Sequence, residues 1–482
     1  YKIYPLIFCF SFAIFGICRA NNSKEVFYLS FAFAFGWFFL GLYWIGNAFL
    51  VKSDFYLFLM PVAATLLPLF LSFIWGIAFV ITKLISEKFG EIHINLIIIL
   101  SIFEYLRGKL LNFPWLMPGN FFSSYEVLIQ GYSFIGSYSM NIVFFFVIIL
   151  PILIIKYKKL SILPIFFFLI PTILLFLKSY DRYINKSILS FNESHLINVI
   201  QPNIKQEVKW QKNLKPYHHE KLIDLTKSRY KDNNFLSVLN IWPETAFLGL
   251  YPRDKILLHD ISRKFLNSKK NEFLFTGSIS KDKNDYYNSA LLLNSKEEVI
   301  NIYNKNILVP FGEFIPLRKL LPRFDFFENK VDFLSGNKIN SITINKYYKF
   351  VPLICYEILF SDLIFKSLDQ ETSIIINITN DAWFGNSIGP TQHFQFAKIR
   401  AVEFGIPVIR VANTGYSGLI NPYGEVIEKL NLNEEGIISF KLINKLNNTM
   451  FRKYGDHLFL ILIFLIFLLN LSFKNIFTKK DM

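Results

Sequence analysis

The hydrophobic positions of this chain fall into long runs near its two ends, and a polar segment separates them. Crossing the hydrocarbon of a bilayer takes roughly 20 apolar residues in a helix. Most of the runs have about this length, and the run at 92–106, which is short and contains Glu104, is the weakest candidate. We therefore predict about six membrane helices before the polar segment and one after it, over residues 5–20, 27–50, 57–83, 92–106, 127–155, 160–177 and 458–473.

The polar segment, from about residue 180 to residue 455, has a different pattern. Strand patterns alternate with helical patterns, and Asn-rich, charged stretches separate them. Near-continuous apolar strands between helices predict sheets that are buried on at least one face and covered by helices. The predicted fold class is a polytopic α-helical membrane bundle with an extramembrane α/β domain. Its parts are a bundle over 1–178, the extramembrane domain over 179–454, and a transmembrane helix with a cytoplasmic tail over 455–482.

Within the polar segment the pattern predicts individual elements. Strands are predicted to start near residues 195, 235, 272, 289, 297, 348, 372, 407, 417 and 436, and helices to lie over 214–231, 254–267 and 391–405. The apolar stretch from Ala246 to Tyr251 is expected to be an arm that dips into the membrane.

The basic residues between the apolar runs orient the predicted helices. Clusters near Arg19, near Lys83, at 156–159 and after Phe473 alternate along the chain, so that all four fall on one side of the membrane. The positive-inside rule makes that side the cytoplasm, although Lys52 and, more strongly, Arg107 and Lys109 depart from the pattern. The polar domain is then expected in the periplasm of a Gram-negative cell, and the chain in its inner membrane.

Composition agrees with a membrane protein. Of the 482 residues, 53% are hydrophobic, and the mean hydropathy is +0.36, which exceeds the needs of a soluble domain. The formal net charge of +15 comes largely from the basic clusters that flank the helices. Because no basic stripe with stacking aromatic residues is visible, we expect no nucleic-acid partner.

The cysteines single out one thiol. Cys9 and Cys18 lie in the first apolar run, and Cys355 stands alone in the polar domain. An extracytoplasmic compartment favours disulfides, yet Cys355 has no partner within its domain. Such a thiol is either buried and inert or kept for chemistry, and both alternatives stay open for this residue taken alone.

Two charged residues are candidates to activate this thiol. Glu244 follows Pro243 in the string IWPET, and Lys305 lies in YNKNILVPFGEFIP, where Glu313 could hold it. A carboxylate, an ammonium and a thiol can supply the base, the oxyanion stabiliser and the nucleophile of covalent acyl transfer. Taken singly, each charged residue is more often a solvated surface group. All three, however, come at or just after predicted strand ends, where open α/β sheets place their sites.

The histidines do not form a metal motif. His218 and His219 are adjacent and His393 stands alone, and the chain contains no HExxH motif and no zinc-binding Cys/His spacing. A GxSxG motif and a phosphate-binding glycine loop are also missing from the sequence. We predict no metal and no cofactor.

Four strings follow one another through the polar domain, namely IWPET, YNKNILVPFGEFIP, ICYEI and NDAWFGNSIGPTQHFQFAKIRAVEFGIPVIRVANTGYSG. In this order they resemble the outer domain of the apolipoprotein N-acyltransferases, a membrane branch of the nitrilase (carbon–nitrogen hydrolase) superfamily. The resemblance extends loosely into the bundle through FPWLMPGN. It implies a nitrilase-like α-β-β-α sandwich for the polar domain. Because the family has seven helices before this domain, we expect one helix to be missing ahead of Tyr1.

The resemblance also implies roles for individual residues. Glu244 corresponds to the general base, Lys305 to the residue that stabilises the oxyanion, and Cys355 to the nucleophile. Supporting positions around the site correspond to Glu313, Tyr356 and Glu357, and the candidates at the substrate entrance are Trp115 and Trp210.

The implied reaction moves a fatty acyl chain from a phospholipid, such as phosphatidylethanolamine, to an apolipoprotein. The acyl chain would pass through a thioester on Cys355 to the N-terminal amine of diacylglyceryl-cysteine, which is the final step of lipoprotein maturation. One alternative is a membrane-tethered nitrilase-like amidase that uses the same residues on a soluble amide. Another is an inactive lipid- or lipoprotein-binding protein, which the intact Glu–Lys–Cys set argues against.

Overall fold

The computed structural model describes residues 3–50, 59–156, 162–228, 235–266, 271–316, 318, 331–338, 340–344 and 347–478. Residues 157–159 of one predicted basic cluster, and Lys479 and Lys480 of another, lie outside these ranges. The chain divides into two compact units. One comprises Tyr1–Lys186, Val402–Phe404 and Asn448–Met482, and the other comprises Ser187–Ala401 and Gly405–Asn447.

The described helices and strands are numbered in chain order. The helices are α1 Ile3–Cys18, α2 Ser23–Leu42, α3 Leu59–Lys88, α4 Ile92–Leu110, α5 Tyr132–Lys156, α6 Ile162–Ile184, α7 Gln206–Lys209, α8 Lys215–Lys227, α9 Lys255–Arg263, α10 Ser361–Ser367, α11 Gly389–Phe404, α12 Met450–Tyr454 and α13 His457–Thr478. The strands are β1 Phe191–Gln201, β2 Ser237–Ile241, β3 Phe247–Tyr251, β4 Glu272–Asp282, β5 Asp285–Leu293, β6 Val299–Asn304, β7 Ile342–Ile344, β8 Tyr348–Ile354, β9 Thr372–Thr379, β10 Val408–Ala412, β11 Ser417–Ile420, β12 Val426–Leu430 and β13 Gly436–Ile443.

The first unit is helical, and each predicted apolar run corresponds to a helix within the described residues. In the part of the chain that the structure describes, three segments are long and apolar enough to cross a membrane, namely Ser23–Phe49, Met60–Lys88 and Leu128–Ile155. Pro5–Cys18 and His457–Leu471 are apolar but shorter. The helical membrane unit is thus confirmed, while crossing by the remaining runs stays a prediction.

Arg107 is a buried structural group of the helical unit. Its guanidinium pairs with Glu104 at 2.5 Å and donates hydrogen bonds of 2.7 Å to the carbonyls of Phe113 and Trp115. The indole N–H of Trp75 donates to the same carboxylate at 2.9 Å. Charges inside a membrane bundle are tolerated when they are paired in this way. Arg107 therefore stabilises the turn after α4, and its departure from the positive-inside pattern has a local cause.

The second unit contains two sheets among its described residues. One has the strand order β13-β1-β2-β4-β5-β6, with β3 also paired to β4, and the other has the order β12-β11-β10-β9-β8-β7. β1, β2 and β4 run parallel, as do β8, β9 and β10. Antiparallel strands flank both parallel sets. The strands before Glu244 and Cys355, β2 and β8, each have a parallel neighbour, and the strand before Lys305, β6, pairs with the largely buried strand β5.

Alternating side chains of the strands build an α-β-β-α sandwich. Phe273 and Phe275 of β4 lie in the core between the two sheets, where the ring of Phe275 meets that of Phe350 at 5.0 Å. Leu274, between them, packs on the outer face with Leu222 of α8 and other helical residues. This alternation is the period of two expected of a strand, and it confirms the predicted fold class.

Two sequence predictions in this unit are wrong. The stretch from Ala246 to Tyr251 is not an arm, because Phe247 begins β3, which pairs with β4 and buries the Phe247 side chain completely. The sequence predicts a single strand from Ser417 through Val426, but the strand that begins at Ser417, β11, ends at Ile420 and a hairpin turn joins it to β12. This turn contains Gly424, whose φ of +81° favours glycine.

Candidate active site

Cys355 lies at the junction between a strand and a short helix. It follows β8 directly and begins a 3₁₀ helix, Cys355–Leu359. Its backbone φ is +52°, a conformation that costs a non-glycine residue free energy and that the surrounding structure must impose. The thiol is free and partly buried. The backbone therefore holds this side chain in one direction at the end of its strand.

Glu244 and Lys305 also follow strands, β2 and β6. Gly277 of β4 donates its N–H to the carbonyl of Pro243 at 3.1 Å, which ties the segment before Glu244 to the sheet. A Cβ at position 277 would lie 2.6 Å from the Cα of Glu244, so only glycine permits this approach. Lys305 donates its own N–H to the carbonyl of Asn288 on β5 at 2.8 Å.

The ammonium of Lys305 lies between two carboxylates. It is 2.8 Å from Oε2 of Glu313 and 3.8 Å from Oε1 of Glu244, and its side chain is only 1% exposed. Burial alone would lower the pKa of Lys305, but Glu313, Glu244 and Cys355 outweigh it and raise that pKa. Lys305 therefore stays charged, and its charge favours the thiolate of Cys355.

Asn288 bridges the two carboxylates, and sequence reasoning missed it. Its Nδ2 donates to Oε1 of Glu244 and to Oε1 of Glu313, both at 2.7 Å. The side chain is buried at the start of the apolar part of β5. The signal in the sequence was a polar residue at the edge of an apolar strand, which by itself does not identify a partner.

The thiol and the carboxylate both favour their neutral forms more than usual. Burial raises the pKa of Cys355 to about 12, Glu244 adds to the shift, and Lys305 opposes it. Burial also raises the pKa of Glu244, against the effect of Lys305. The charges of Glu244 and Lys305 thus change the pKa of the thiol in opposite directions. This arrangement pairs a protonated thiol with a carboxylate whose proton affinity is increased, which suits proton transfer between them.

Glu357 connects the turn after β8 to the loop after β6. Its Oε1 accepts hydrogen bonds from the hydroxyl of Tyr303 at 2.9 Å and from the N–H of Asn306 at 2.7 Å, and its Oε2 accepts from the N–H of Ile354 at 2.7 Å. Burial raises the pKa of Glu357 to about 7. The predicted supporting residue therefore holds together the segments that present Cys355 and Lys305.

The aromatic candidates lie in different surroundings. Tyr356 is 6% exposed. Trp210 is 38% exposed, and its ring lies 5.5 Å from Nζ of Lys215. Trp115 belongs to the helical unit, where it is buried and packs 5.0 Å from Trp44. Trp115 has a packing role there, and a role of either tryptophan at a substrate entrance stays a prediction.

A buried lysine was also missed by sequence reasoning. Nζ of Lys209 donates to the carbonyl of Glu244 at 3.2 Å and to the hydroxyl of Thr245 at 2.7 Å. Burial lowers the pKa of Lys209 to about 8, and Glu244 opposes the shift. A lysine in the string VKW resembles a surface residue, so only the fold reveals its position under Glu244.

Among the described residues, the His, Cys, Asp and Glu side chains form no group of three that would hold a metal ion. The site consists of a thiol, the two ammonium groups of Lys305 and Lys209, three carboxylates and their amide and hydroxyl partners. Such a set can carry out acyl transfer with its own side chains.

Comparison with known proteins places the chain in a family. Residues 198–444 match the carbon-nitrogen hydrolase model, and residues 1–150 match the model of the apolipoprotein N-acyltransferase N-terminal domain. The apolipoprotein N-acyltransferase of Rickettsia prowazekii is 31% identical over 488 residues, which cover 98% of this chain and 95% of the relative. The chain belongs to the apolipoprotein N-acyltransferase family. A family member from Rhodopseudomonas palustris is 30% identical over 92% of this chain and 85% of its own length.

Membership in the apolipoprotein N-acyltransferase family confirms the predicted family and the predicted class, an acyltransferase with a nitrilase-like domain. It supports lipoprotein N-acylation over the amidase alternative, and apolipoprotein N-acyltransferases act on lipoproteins and phospholipids. Among solved structures, Saccharomyces cerevisiae Nit3, a member of branch 10 of the nitrilase superfamily, is 18% identical with a TM-score of 0.40. The match covers 54% of this chain and 92% of the Nit3 chain.

Proposed function

We propose that the chain transfers a fatty acyl group from a phospholipid to the N-terminal amine of diacylglyceryl-cysteine in apolipoproteins, with Cys355 as the nucleophile. One observation carries this proposal. Glu244 and Cys355 follow strands of different sheets, and Lys305, after a third strand, lies 3.8 Å from Glu244 and acts on the Cys355 thiol. The match of residues 1–150 to the N-terminal domain of the family supports a lipid-linked substrate over a soluble amide.

The first half-reaction forms a thioester. Glu244 takes the proton of the Cys355 thiol as Sγ attacks the ester carbonyl of a phospholipid such as phosphatidylethanolamine. The oxyanion of the tetrahedral intermediate is stabilised by the Lys305 ammonium and by the backbone N–H of Tyr356. The C–O bond then breaks, the leaving oxygen takes the proton from Glu244, and a lysophospholipid departs.

The second half-reaction uses the same groups on a different nucleophile. The α-amine of diacylglyceryl-cysteine attacks the thioester, and Glu244 accepts the amine proton. The C–S bond of the intermediate then breaks, and Cys355 leaves as the thiol with the proton from Glu244. An amide forms on the lipoprotein, and the enzyme returns to its starting protonation state.

The supporting residues hold the base, the ammonium and the nucleophile in position. Glu313 and Asn288 hold the Lys305 ammonium and the Glu244 carboxylate in place. Glu357 joins the segments that carry the thiol and the ammonium. We assign Trp210 and Trp115 to the path of the lipid substrates, with Trp115 acting through the packing of its loop.

The location of the chain follows from its charges. With the basic clusters on the cytoplasmic side, residues 179–454 form the catalytic domain in the periplasm. Residues 1–178 and 455–482 then anchor it in the bacterial inner membrane. This location gives the thiol access to substrates that are themselves anchored in that membrane.

Acyl trapping tests the proposal. Full-length protein in detergent is incubated with phosphatidylethanolamine that carries a labelled acyl chain, and hydroxylamine-sensitive label on the protein is measured. We expect label on the wild type and on Cys9→Ala, a matched control for an exposed thiol, and none on Cys355→Ala. Equal label on Cys355→Ala would refute the mechanism, and ammonia release from a soluble amide without lipid would favour the amidase.

A further inference from the structure

Four polar side chains are buried together behind the nucleophile. Asn377 lies on β9, Asp381 shortly after it, His393 on α11 and Arg410 on β10, and each is 0% exposed. Nη2 of Arg410 contacts both carboxylate oxygens of Asp381, at 2.9 and 2.8 Å, and Nη1 donates to Oδ1 of Asn377 at 2.6 Å. Burying an ion pair is costly unless its geometry is good and its remaining groups are satisfied. None of these four groups has a part in the reaction as proposed above.

The cluster ends on a single acceptor, the carbonyl oxygen of Cys355. Nδ2 of Asn377 and Nε2 of His393 both lie 3.2 Å from that oxygen. A carbonyl oxygen only accepts, so Nε2 carries the hydrogen. Nδ1 of His393 lies 2.9 Å from Nη2 of Arg410, which only donates, and 2.9 Å from Oδ1 of Asp381, which only accepts. Because the hydrogen of the neutral ring is on Nε2, Nδ1 accepts from Arg410. Burial and Arg410 lower the pKa of His393, which keeps the ring neutral.

Two donors on this carbonyl determine the direction of the next N–H. The peptide unit between Cys355 and Tyr356 is planar and trans, so its C=O and N–H point in opposite directions. The carbonyl is held toward the cluster while Cys355 keeps its φ of +52°. The N–H of Tyr356 is therefore directed away from the cluster.

We propose that His393 and Asn377 are positioning residues that aim the Tyr356 N–H at the oxyanion formed on the acyl carbon attached to Cys355. Asp381 and Arg410 hold these two residues in place and touch no reacting atom. The inference rests on the proposed function, since it needs an acyl group on this thiol. It adds four residues to those that act in acyl transfer. Their role is to orient the Tyr356 N–H, and they supply no charge to the reacting atoms.

Two reagents separate oxyanion stabilisation from thiol reactivity. p-Nitrophenyl acetate acylates a thiol through a tetrahedral oxyanion and releases p-nitrophenolate. Iodoacetamide alkylates the same thiol by direct displacement of iodide and forms no oxyanion. Both rates are measured on full-length protein in detergent, and the rates of Cys355→Ala are subtracted to remove the contributions of Cys9 and Cys18.

A matched pair of variants then tests the contact. His393→Asn keeps a polar group near Asp381 and Arg410 but is too short to reach the carbonyl of Cys355, whereas His393→Gln can place an amide N–H near the position of Nε2. We expect His393→Asn to lose roughly tenfold to a hundredfold in acetylation while alkylation stays within about twofold. His393→Gln should recover most of the acetylation rate. His259→Asn, at a histidine whose side chain is 42% exposed, should change neither rate.

Parallel losses of both rates, or no loss of acetylation, would overturn the proposal. If His393→Asn fails to fold, as judged by its melting temperature, Asn377→Ala is carried through the same two reactions with the same expectation. Wild-type protein that reacts with p-nitrophenyl acetate but takes no acyl group from phospholipid would contradict the proposed function alone. The ratio of the two rates would still decide the role of His393.

Discussion

The buried ammonium of Lys209 donates a 2.7 Å hydrogen bond to the hydroxyl of Thr245, the residue that follows Glu244. It also reaches the carbonyl of Glu244 at 3.2 Å, and Thr245 has a φ of +49°. The Lys209 ammonium thus holds the strained turn at Thr245. The carboxylate of Glu244 remains available to contact Asn288 and Lys305. The position of the proposed base depends on a residue that takes no part in proton transfer.

Replacing Lys209 by Met should slow thioester formation by about tenfold to a hundredfold, because two buried acceptors lose a charged donor and the Glu244 turn relaxes. The initial rate of acyl label on Cys355 is the measurement. Lys212→Met, at an exposed lysine on the same segment, serves as the control. A Lys209→Met variant as fast as the control would remove Lys209 from the site.

Replacing Asn288 by Asp should displace the acid limb of the pH–rate profile to higher pH. The new carboxylate would stand where an amide now donates to Glu244 and Glu313, and a like charge raises the pKa of Glu244 further. On the acid limb, thioester formation should fall about tenfold for each pH unit by which the limb moves, since less of Glu244 is ionised. Asn301→Asp, on the neighbouring strand and exposed, should leave the profile unchanged.

The pH dependence of Glu244→Gln tests how the thiol is activated. In the wild type the alkylation rate of Cys355 should rise as Glu244 ionises. Burial raises the pKa of Glu244, so this rise should occur above pH 4.5, the ordinary pKa of the group. Without this base only the thiolate reacts, and burial, the largest cause of the raised pKa of Cys355, remains after Glu244 is replaced. The alkylation rate of Glu244→Gln should therefore rise about tenfold per pH unit between pH 7 and 10. A plateau near pH 8.5 would show an ordinary thiol and contradict this picture.

Adding a methyl group at Gly415 should disturb the cluster behind the nucleophile. A Cβ there would lie 2.6 Å from Oδ2 of Asp381, and the φ of Gly415 is +144°. We expect Gly415→Ala to lower the free energy of unfolding by about 1–3 kcal/mol and to slow acetylation of Cys355. In Gly436→Ala the nearest atom is the end of the Leu430 side chain at 3.2 Å, so melting temperature and rate should both change much less.

In the helical unit, Arg107→Met should be among the most damaging single changes. It leaves the buried carboxylate of Glu104 without its cation and the carbonyls of Phe113 and Trp115 without their donor. Removing one partner of a buried pair costs about 3–5 kcal/mol. The melting temperature in detergent should fall sharply, whereas Lys24→Met, at an exposed lysine, should have little effect. Similar melting of the two variants would mean that the pair does not stabilise the turn.

Much of the fold could be predicted because its causes are local. A period of two in β4 and the continuous apolar run of β9 are visible within a few residues, and so is the position of Cys355 at a strand end. The arm predicted for 246–251 was wrong for the opposite reason. An apolar stretch does not show whether it will meet lipid or, as Phe247 does, the core beneath a helix.

The sequence by itself determined where most of the helices and strands lie, which thiol is available for chemistry, and which family the chain belongs to. These properties depend on residue type and spacing along the chain. Only the tertiary structure decided that Asn288 joins Glu244 to Glu313, that Lys209 supports the turn after β2, and that His393 and Asn377 hold the carbonyl of Cys355. Those contacts join residues up to 44 positions apart. Hydrogen bonds act over about 3 Å, so packing of the sheets determines such pairs, and periodicity along the chain does not.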